Sequence, residues 1–301
     1  MGKIRVIGVD AFTTTPQGGN SAGVILEGQR LSELQMQSVA RELHFPETVF
    51  VLPSARSGTD CRMRSFTPQR EMSISGHSLL AGLHVLAAES MLGMTKKENY
   101  CVHIDFPGGV VTAEVSKHEQ PPSILMEMKP PVLAKATQYK TDLLRLLNIN
   151  LSDFDNRMTI MRNEFLFVGL RRLHALFTMK PNHTALAGFL ETRSFNGICV
   201  YTTETVERES LVHSRFFAPH LGMLEDPVTL STHSALAMLL FDHGILQLKE
   251  DRCVFRGEQG DAIGRRGRVN VELYVTDQKP VLVKAGGSAV TVMDGELLVN
   301  D

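Results

Sequence analysis

The chain has 301 residues, 43% of them hydrophobic, and a formal net charge of −2. That length allows one large domain or two of roughly 150 residues, the composition excludes a disordered chain, and the charge lacks the basic face that nucleic acid calls for. The densest basic cluster, Arg265, Arg266 and Arg268, is too short for a polyanion partner.

Four cysteines, at 61, 101, 199 and 253, have no C-x-x-C spacing and read as free thiols of a reducing cytoplasm. No charged-then-apolar leader opens the chain, and no apolar run approaches the ~18 residues of a membrane helix. The expectation is a soluble cytoplasmic protein.

In chain order, I-R-V-I-G-V-D-A-F (4–12) reads as a strand, 16–20 as a Gly/Pro-rich loop, and A-G-V-I-L (22–26) as a second strand. Ser32 and Gln35 have the form of a capping box and open a helix over 31–43 with apolar residues at helical spacing. Glu47 begins a short strand, E-T-V-F-V-L, and R-M-R-S-F (62–66) alternates like a half-buried one. Residues 77–89 form a largely apolar helix. Y-C-V-H-I-D-F and V-V-T-A-E-V then make a hairpin across Pro107-Gly108-Gly109. Prolines 121, 122, 130 and 131 mark 117–137 as a crossover. A helix over 141–147 follows, then strands near 164–169 and 173–178, a helix H-T-A-L-A-G-F-L-E, and a strand N-G-I-C-V-Y-T-T.

From there the chain repeats itself. Ser-x-His-Ser-x-Leu-Ala occurs at 75–81 and again at 231–237. R-S-F-T-P before the first copy is answered by S-R-F-F-A-P before the second, each copy leads into an apolar helix, and R-V-N-V-E-L-Y-V stands where V-V-T-A-E-V stood. A chance match does not carry its neighbours in the same order. The repeat implies two homologous halves related by pseudo-twofold symmetry, residues 1–120 with 285–301 and residues 121–284. The final S-A-V-T-V-M-D-G-E-L-L-V reads as a closing hairpin that returns to the first domain.

Each motif lies at the start of a helix, where orphan backbone donors and the helix dipole favour an anion. Two such starts facing across a domain cleft would make a pocket for a small carboxylate or a developing enolate. The helices that follow are apolar nearly all round, so each is expected at the centre of its domain with strands wrapped around it. A serine before a helix is, taken alone, an N-cap, and a lone histidine there is usually structural. The duplication, with Glu71 and His77 beside one copy and Glu225, Asp226 and His233 beside the other, points to chemistry. His77 and His84 lie two turns apart on one helix face, but no acid or thiol accompanies them, and His84 reads as structural.

The stretches D-A-F-T…G-G-N-S-A-G-V (10–24), E-T-V-F-V (47–51), R-S-F-T-P-Q-R-E-M-S-I-S-G-H-S-L-L-A (64–81), R-F-F-A-P-H-L-G-M-L-E-D-P-V-T-L-S-T-H (215–233) and Q-G-D-A-I-G-R-R-G-R-V (259–269) resemble the PhzF-like family. That family is named for a phenazine-biosynthesis isomerase and shares the fold of diaminopimelate epimerase. The resemblance implies an α/β (α+β) protein of two alike domains, each a barrel-like, mostly antiparallel sheet around a central helix, with the active site in the cleft between them. It implies Glu47 as general base, with His77 and Asp226 as the other catalytic residues. Asn20, Ser75, Gly76, Ser231 and Thr232 are the implied substrate-binding positions. It further implies no metal or organic cofactor, and a homodimer.

The residue types suit that chemistry independently. A carboxylate in a partly apolar pocket has its pKa raised and takes a carbon-bound proton and returns it to another atom. Two departures stand out. Related epimerases and racemases place cysteines at the two helix starts, where this chain has Ser75 and Ser231-Thr232, and a hydroxyl is a far weaker carbon base than a thiolate. The family's usual glycine in T-G-S is here Leu230, which removes glycine's backbone freedom and adds bulk at the second half-site. The leading expectation is a cofactor-independent isomerase of a small carboxylate-bearing metabolite. An amino-acid epimerase without catalytic cysteines and an inactive scaffold of the same fold stay open. Arg265 is a further candidate contact for a substrate carboxylate. No G-x-G-x-x-G after a strand, phosphate-binding loop, H-E-x-x-H or G-x-S-x-G elbow occurs.

Overall fold

The structure, a computed structural model, describes residues 2–73 and 75–299. The chain forms two compact units, Met1–Met128 with Ala285–Asp301, and Lys129–Lys284.

The first unit contains β1 (Gly2–Ala11), β2 (Asn20–Ile25), α1 (Glu33–Leu43), β3 (Glu47–Leu52), β4 (Cys61–Phe66), β5 (Glu71–Met72), α2 (Gly76–Ala88), β6 (Asn99–Phe106), β7 (Gly109–Ser116) and β8 (Ser123–Met128). The Ser32 capping box forms: Gln35 N donates to Ser32 Oγ (3.3 Å) and Ser32 N to Gln35 Oε1 (2.9 Å). Beyond β1, the ladder runs β1·β2 antiparallel, β2·β3 parallel, β3·β4 antiparallel, β4·β6 parallel, and β6·β7·β8 antiparallel. A long strand near the C-terminus (Lys279–Val299) lies along the whole of β1, from Gly2↔Val299 to Ala11↔Ala289, and also pairs with β8. Eight strands therefore close on themselves.

Helix α2 fills the barrel. Every side chain from Ser78 to Ala87 is buried, and the helix touches β1, β2, β3, β4 and β8. A helix without a polar face has no other stable position in water. One of its C-terminal carbonyls is bonded by a buried cation that also reaches the following loop. Lys117 Nζ donates to Ala87 O (2.7 Å) and Met94 O (2.5 Å), where the helix dipole is negative.

The second unit contains β9 (Ala134–Lys135), α3 (Lys140–Leu146), β10 (Met161–Arg162), β11 (Phe165–Gly169), α4 (Leu173–Thr178), α5 (His183–Thr192), β12 (Gly197–Thr202), β13 (Val212–Ala218), β14 (Met223–Asp226), α6 (Leu230–Asp242), β15 (Arg252–Gln259) and β16 (Gly267–Thr276), and the long strand is β17. Its ladder repeats that of the first unit step for step: β11·β12 parallel, β12·β13 antiparallel, β13·β14 antiparallel, β13·β15 parallel, β15·β16 antiparallel. Helix α6 is buried like α2. Its C-terminus is held by His243, whose Nδ1 donates to Leu239 O (2.8 Å) while Nε2 accepts from Thr159 N (3.4 Å).

Three local expectations are corrected. Residues 123–128, read as part of a proline-marked crossover, form β8; the flanking prolines masked the alternation of S-I-L-M-E-M. Residues 173–178 form helix α4 rather than a strand; only Leu176 is buried, and the Glu204 carboxylate accepts from Leu173 N (2.8 Å) at the helix start. The final hairpin is one continuous strand: Asp294-Gly295 does not turn, and a register shift opposite Gly8/Val9 absorbs the irregularity.

The buried titratable groups set a pH dependence. Burial pushes the His84 and His233 imidazoles down to about 4. The unfolded chain binds those protons near 6.5, so this stability is present above 6.5 and is lost as pH falls toward 4. Burial alone raises the Glu258 carboxyl. Hydrogen bonds from His213 and from the Val206 and Glu207 amides outweigh it and hold the group at about 2. That contribution is lost below about pH 4.5. Urea midpoints measured from pH 7 to 3 are expected to fall in two stages, with the lower stage missing in Glu258→Gln. A midpoint flat between pH 7 and 4 contradicts the upper assignment.

Candidate active site

Glu47 is the first residue of β3 and pairs in register with Ala22 of β2. The preceding Phe45 ring packs on the backbone of Gly8 and Gly23. Glu47 is only 8% exposed, and its buried Oε2 has no hydrogen-bond partner among the described residues. Across from it stands His77, the second residue of α2. Its Nε2 is 4.0 Å from Glu47 Oε2 and likewise has no hydrogen-bond partner among the described residues.

The helix start explains the ring's orientation. Ser75 is the N-cap residue by its backbone, yet its hydroxyl caps no amide. It bonds instead to His77 Nδ1 (3.3 Å), which turns Nε2 toward Glu47. Gly76 opens the helix. The buried Ser78 and Ser65 hydroxyls meet at 2.7 Å and tie the first turn to β4.

Asn20, fully buried, is the first residue of β2, two positions before the residue paired with Glu47. The loop leading to it is held by Asp10, whose carboxylate accepts from Gln17 N (2.8 Å) and Ser21 Oγ (2.6 Å). Gly19 turns with φ +51°, and a Cβ there would lie 1.9 Å from Ala11 O.

In the second unit Asp226 ends β14 and is buried. Thr229, not Ser231, is the N-cap residue of α6, because the helix begins two residues earlier relative to the repeat than α2 does. Thr229 Oγ1 donates to Asp226 Oδ2 (2.5 Å). Leu230 takes the first helical position and is buried, outside the left-handed region that glycine favours. Ser231 is exposed in the first turn. Thr232 is fully buried, and its hydroxyl donates to Thr229 O (2.8 Å). His233 Nδ1 also donates to Thr229 O (2.9 Å), with its ring against Gly257. The two histidines of the repeat therefore differ: His77 looks out of the helix start, and His233 is turned into the core.

Glu71 and Glu225, read as titratable company for the motifs, are committed elsewhere. Each forms a two-pronged ion pair with an arginine of the repeated strand. Arg64 reaches Glu71 at 2.6 and 2.7 Å, and Arg215 reaches Glu225 at 2.9 and 2.7 Å. The same arginines lie over Phe66 (5.2 Å) and Phe217 (5.1 Å). These clamps brace both segments that carry the motifs. Thr229 and Gln259 were not singled out from the sequence. The one available signal was Thr229's place before an apolar helix, the position of a cap.

Among the described residues no group of three or more His, Cys, Asp or Glu side chains is placed to hold a metal, and no helix is long and apolar enough to cross a membrane.

The model of the phenazine biosynthesis-like (PhzC-PhzF) proteins matches residues 9–295. The chain belongs to this family. It is 32% identical to a Clostridium acetobutylicum protein described as an uncharacterized isomerase, over 99% of both chains. It is 27% identical to the trans-2,3-dihydro-3-hydroxyanthranilate isomerase of Pseudomonas fluorescens, over 97% of this chain and 98% of that one. The crystal structure of a Bacillus anthracis phenazine biosynthesis protein of the PhzF family superposes with a TM-score of 0.88 at 27% identity, covering 99% of this chain and 100% of that one. A hydroxyproline epimerase of Agrobacterium vitis shares the fold alone, with a TM-score of 0.61 at 12% identity over 98% of this chain and 92% of that one. The protein is thus a PhzF-family isomerase of a small molecule, with the diaminopimelate epimerase-like fold expected from its sequence.

The Gly19 turn yields a stability test. Gly19→Ala combines a left-handed backbone with a backbone collision and is expected to cost about 3 kcal/mol. Gly58→Ala, at φ +78° with open space around it, is expected to cost about 1 kcal/mol. Urea unfolding of the two variants checks the difference; equal losses contradict the role given to Ala11 O.

Proposed function

We propose that this isomerase moves a carbon-bound proton within a small carboxylate-bearing metabolite, without a cofactor, and that Glu47 is the base. The observation that supports it is the pair of buried atoms, Glu47 Oε2 and His77 Nε2, 4.0 Å apart and unbonded within the described chain. In this reading the Glu47 carboxylate takes the proton from one carbon of the bound substrate. The electron pair left behind shifts along the adjoining unsaturation, and the same carboxyl returns the proton at another carbon. His77 Nε2, its ring held through Nδ1 by Ser75, hydrogen-bonds the substrate. The first-turn amides of α2 at Gly76 and beyond stabilise negative charge as it develops.

Asp226 orients an amine or hydroxyl, and Ser231, exposed at the start of α6, contacts an oxygen. Thr232 contributes its backbone amide, since its hydroxyl is engaged. Asn20 shapes the pocket beside Glu47. The Pseudomonas relative's name supplies the first substrate to try. A two-thiol racemase has less support. Cys199 borders the α6 start, but burial pushes its thiol far up, more than the opposing bonds from Thr232 and Ser214 bring it down.

In deuterated water, turnover of trans-2,3-dihydro-3-hydroxyanthranilate or a related amino- or hydroxy-acid is expected to show deuterium exchange at carbon by NMR. Glu47→Gln should slow it by about a thousandfold. Exchange in that variant at the wild-type rate removes Glu47 as base. Activity should survive exhaustive dialysis against chelator; its loss, restored by a metal, refutes cofactor independence. We further propose a cytoplasmic homodimer, and light scattering is expected to read twice the 33.3 kDa of the chain.

A further inference from the structure

The two units secure the segment before their central helix in different ways. Cys61 and Val212 each lie three residues before a clamp arginine, and they pair with Ile104 and Gly257. Two residues further on, the ends of β6 and β15 are therefore equivalent positions, occupied by Phe106 and Gln259. In the first unit a backbone bond from Gly108 N to Ser73 O (3.0 Å) fastens the segment. In the second a fully buried side chain does so. Gln259 Nε2 donates to Asp226 O (2.8 Å) and to Thr229 Oγ1 (3.2 Å). Its Oε1 accepts from Thr229 N (3.2 Å) and from Ser214 Oγ (3.4 Å).

Chemistry fixes the direction of every bond. The Thr229 amide only donates and the Asp226 carbonyl only accepts, so the oxygen and nitrogen of Gln259 are assigned unambiguously. Nε2 cannot accept, so Thr229 Oγ1 accepts from it. The single hydroxyl proton of Thr229 is then directed to Asp226 Oδ2, 2.5 Å away. The chain from Gln259 through Thr229 to Asp226 runs one way.

We propose that Gln259 is a positioning residue that presets the Thr229 hydroxyl as a donor, so that Asp226 presents a carboxylate in one fixed orientation. The inference rests on the role proposed for Asp226 above. Arg215 is paired with Glu225, Glu258 with His213, and Arg268 with Asp261, while Arg265 lies in the turn after Gln259.

The test is a pH titration of the Asp226 carboxyl by carbon NMR, assigned with Asp226→Asn, alongside thermal unfolding. Thr229→Val and Gln259→Met are expected to raise the Asp226 midpoint by about one pH unit, a tenfold loss of preference for the ionised form. Thr229→Ser, which keeps the hydroxyl, should leave it at the wild-type value. Midpoints unchanged in both Thr229→Val and Gln259→Met, with only a lower Tm, reduce Gln259 to packing and overturn the proposal. Should Gln259→Met not fold, the Thr229→Val and Thr229→Ser pair decides. The readout needs no turnover, so it stands apart from the isomerase assay. An intact relay with no effect of Asp226→Asn on catalysis would sink the role of Asp226 and spare the relay.

Discussion

A helix with no polar face has to be enclosed, and much of this molecule follows from enclosing two of them. Ser78–Ala87 of α2 are all buried, and α6 is nearly so. Enclosure inside a strand barrel hides the sides of a helix but not its ends. A C-terminal carbonyl of each is bonded from within, by the Lys117 ammonium in one unit and the His243 ring in the other. The N-terminal ends present orphan amides, which call for acceptors instead. The polar residues of the repeat gather there. The end of a buried helix is where a small domain has uncommitted donors to offer an anion.

Duplication then allowed the two ends to diverge. The scaffold is kept strictly. Both units use the same ladder order, and both carry an arginine that stacks on a phenylalanine and grips a glutamate. What changed is where the helix begins. An extra half-turn in α6 carries His233 inward, where burial keeps it neutral at ordinary pH, and makes Thr229 the cap. The first copy sets His77 Nε2 4.0 Å from Glu47 Oε2, while in the second the cap residue Thr229 bonds to Asp226. One motif written twice therefore does not mean one role performed twice.

Much of this was legible in the sequence, because the signals were local or periodic. The apolar run of α2, the Ser32 capping box and the repeat itself each encode their outcome within about a dozen residues. The family's matched stretches pointed to Glu47 and His77. What escaped reading depends on partners distant in sequence. Glu71 and Glu225 look like acids beside a motif until the strands bring Arg64 and Arg215 to them. Gln259 is 33 residues from Asp226, and its role exists only once β15 ends beside β14. Strand β8 was hidden for a simpler reason: prolines at its flanks read as a break, yet they bound the strand without entering it.

The pairing of β17 with β1 has a temporal meaning. Residues 289–299 supply the partner for the whole of β1, and the same strand also pairs with β8. The first barrel to be synthesised is therefore the one that cannot close until synthesis has passed the second. While the ribosome makes residues 129–284, the edge of β1 stays unpaired and the apolar α2 incompletely covered, an exposure that invites misassembly. The half carrying Glu47 and His77 therefore cannot close until residues 289–299 are available to it.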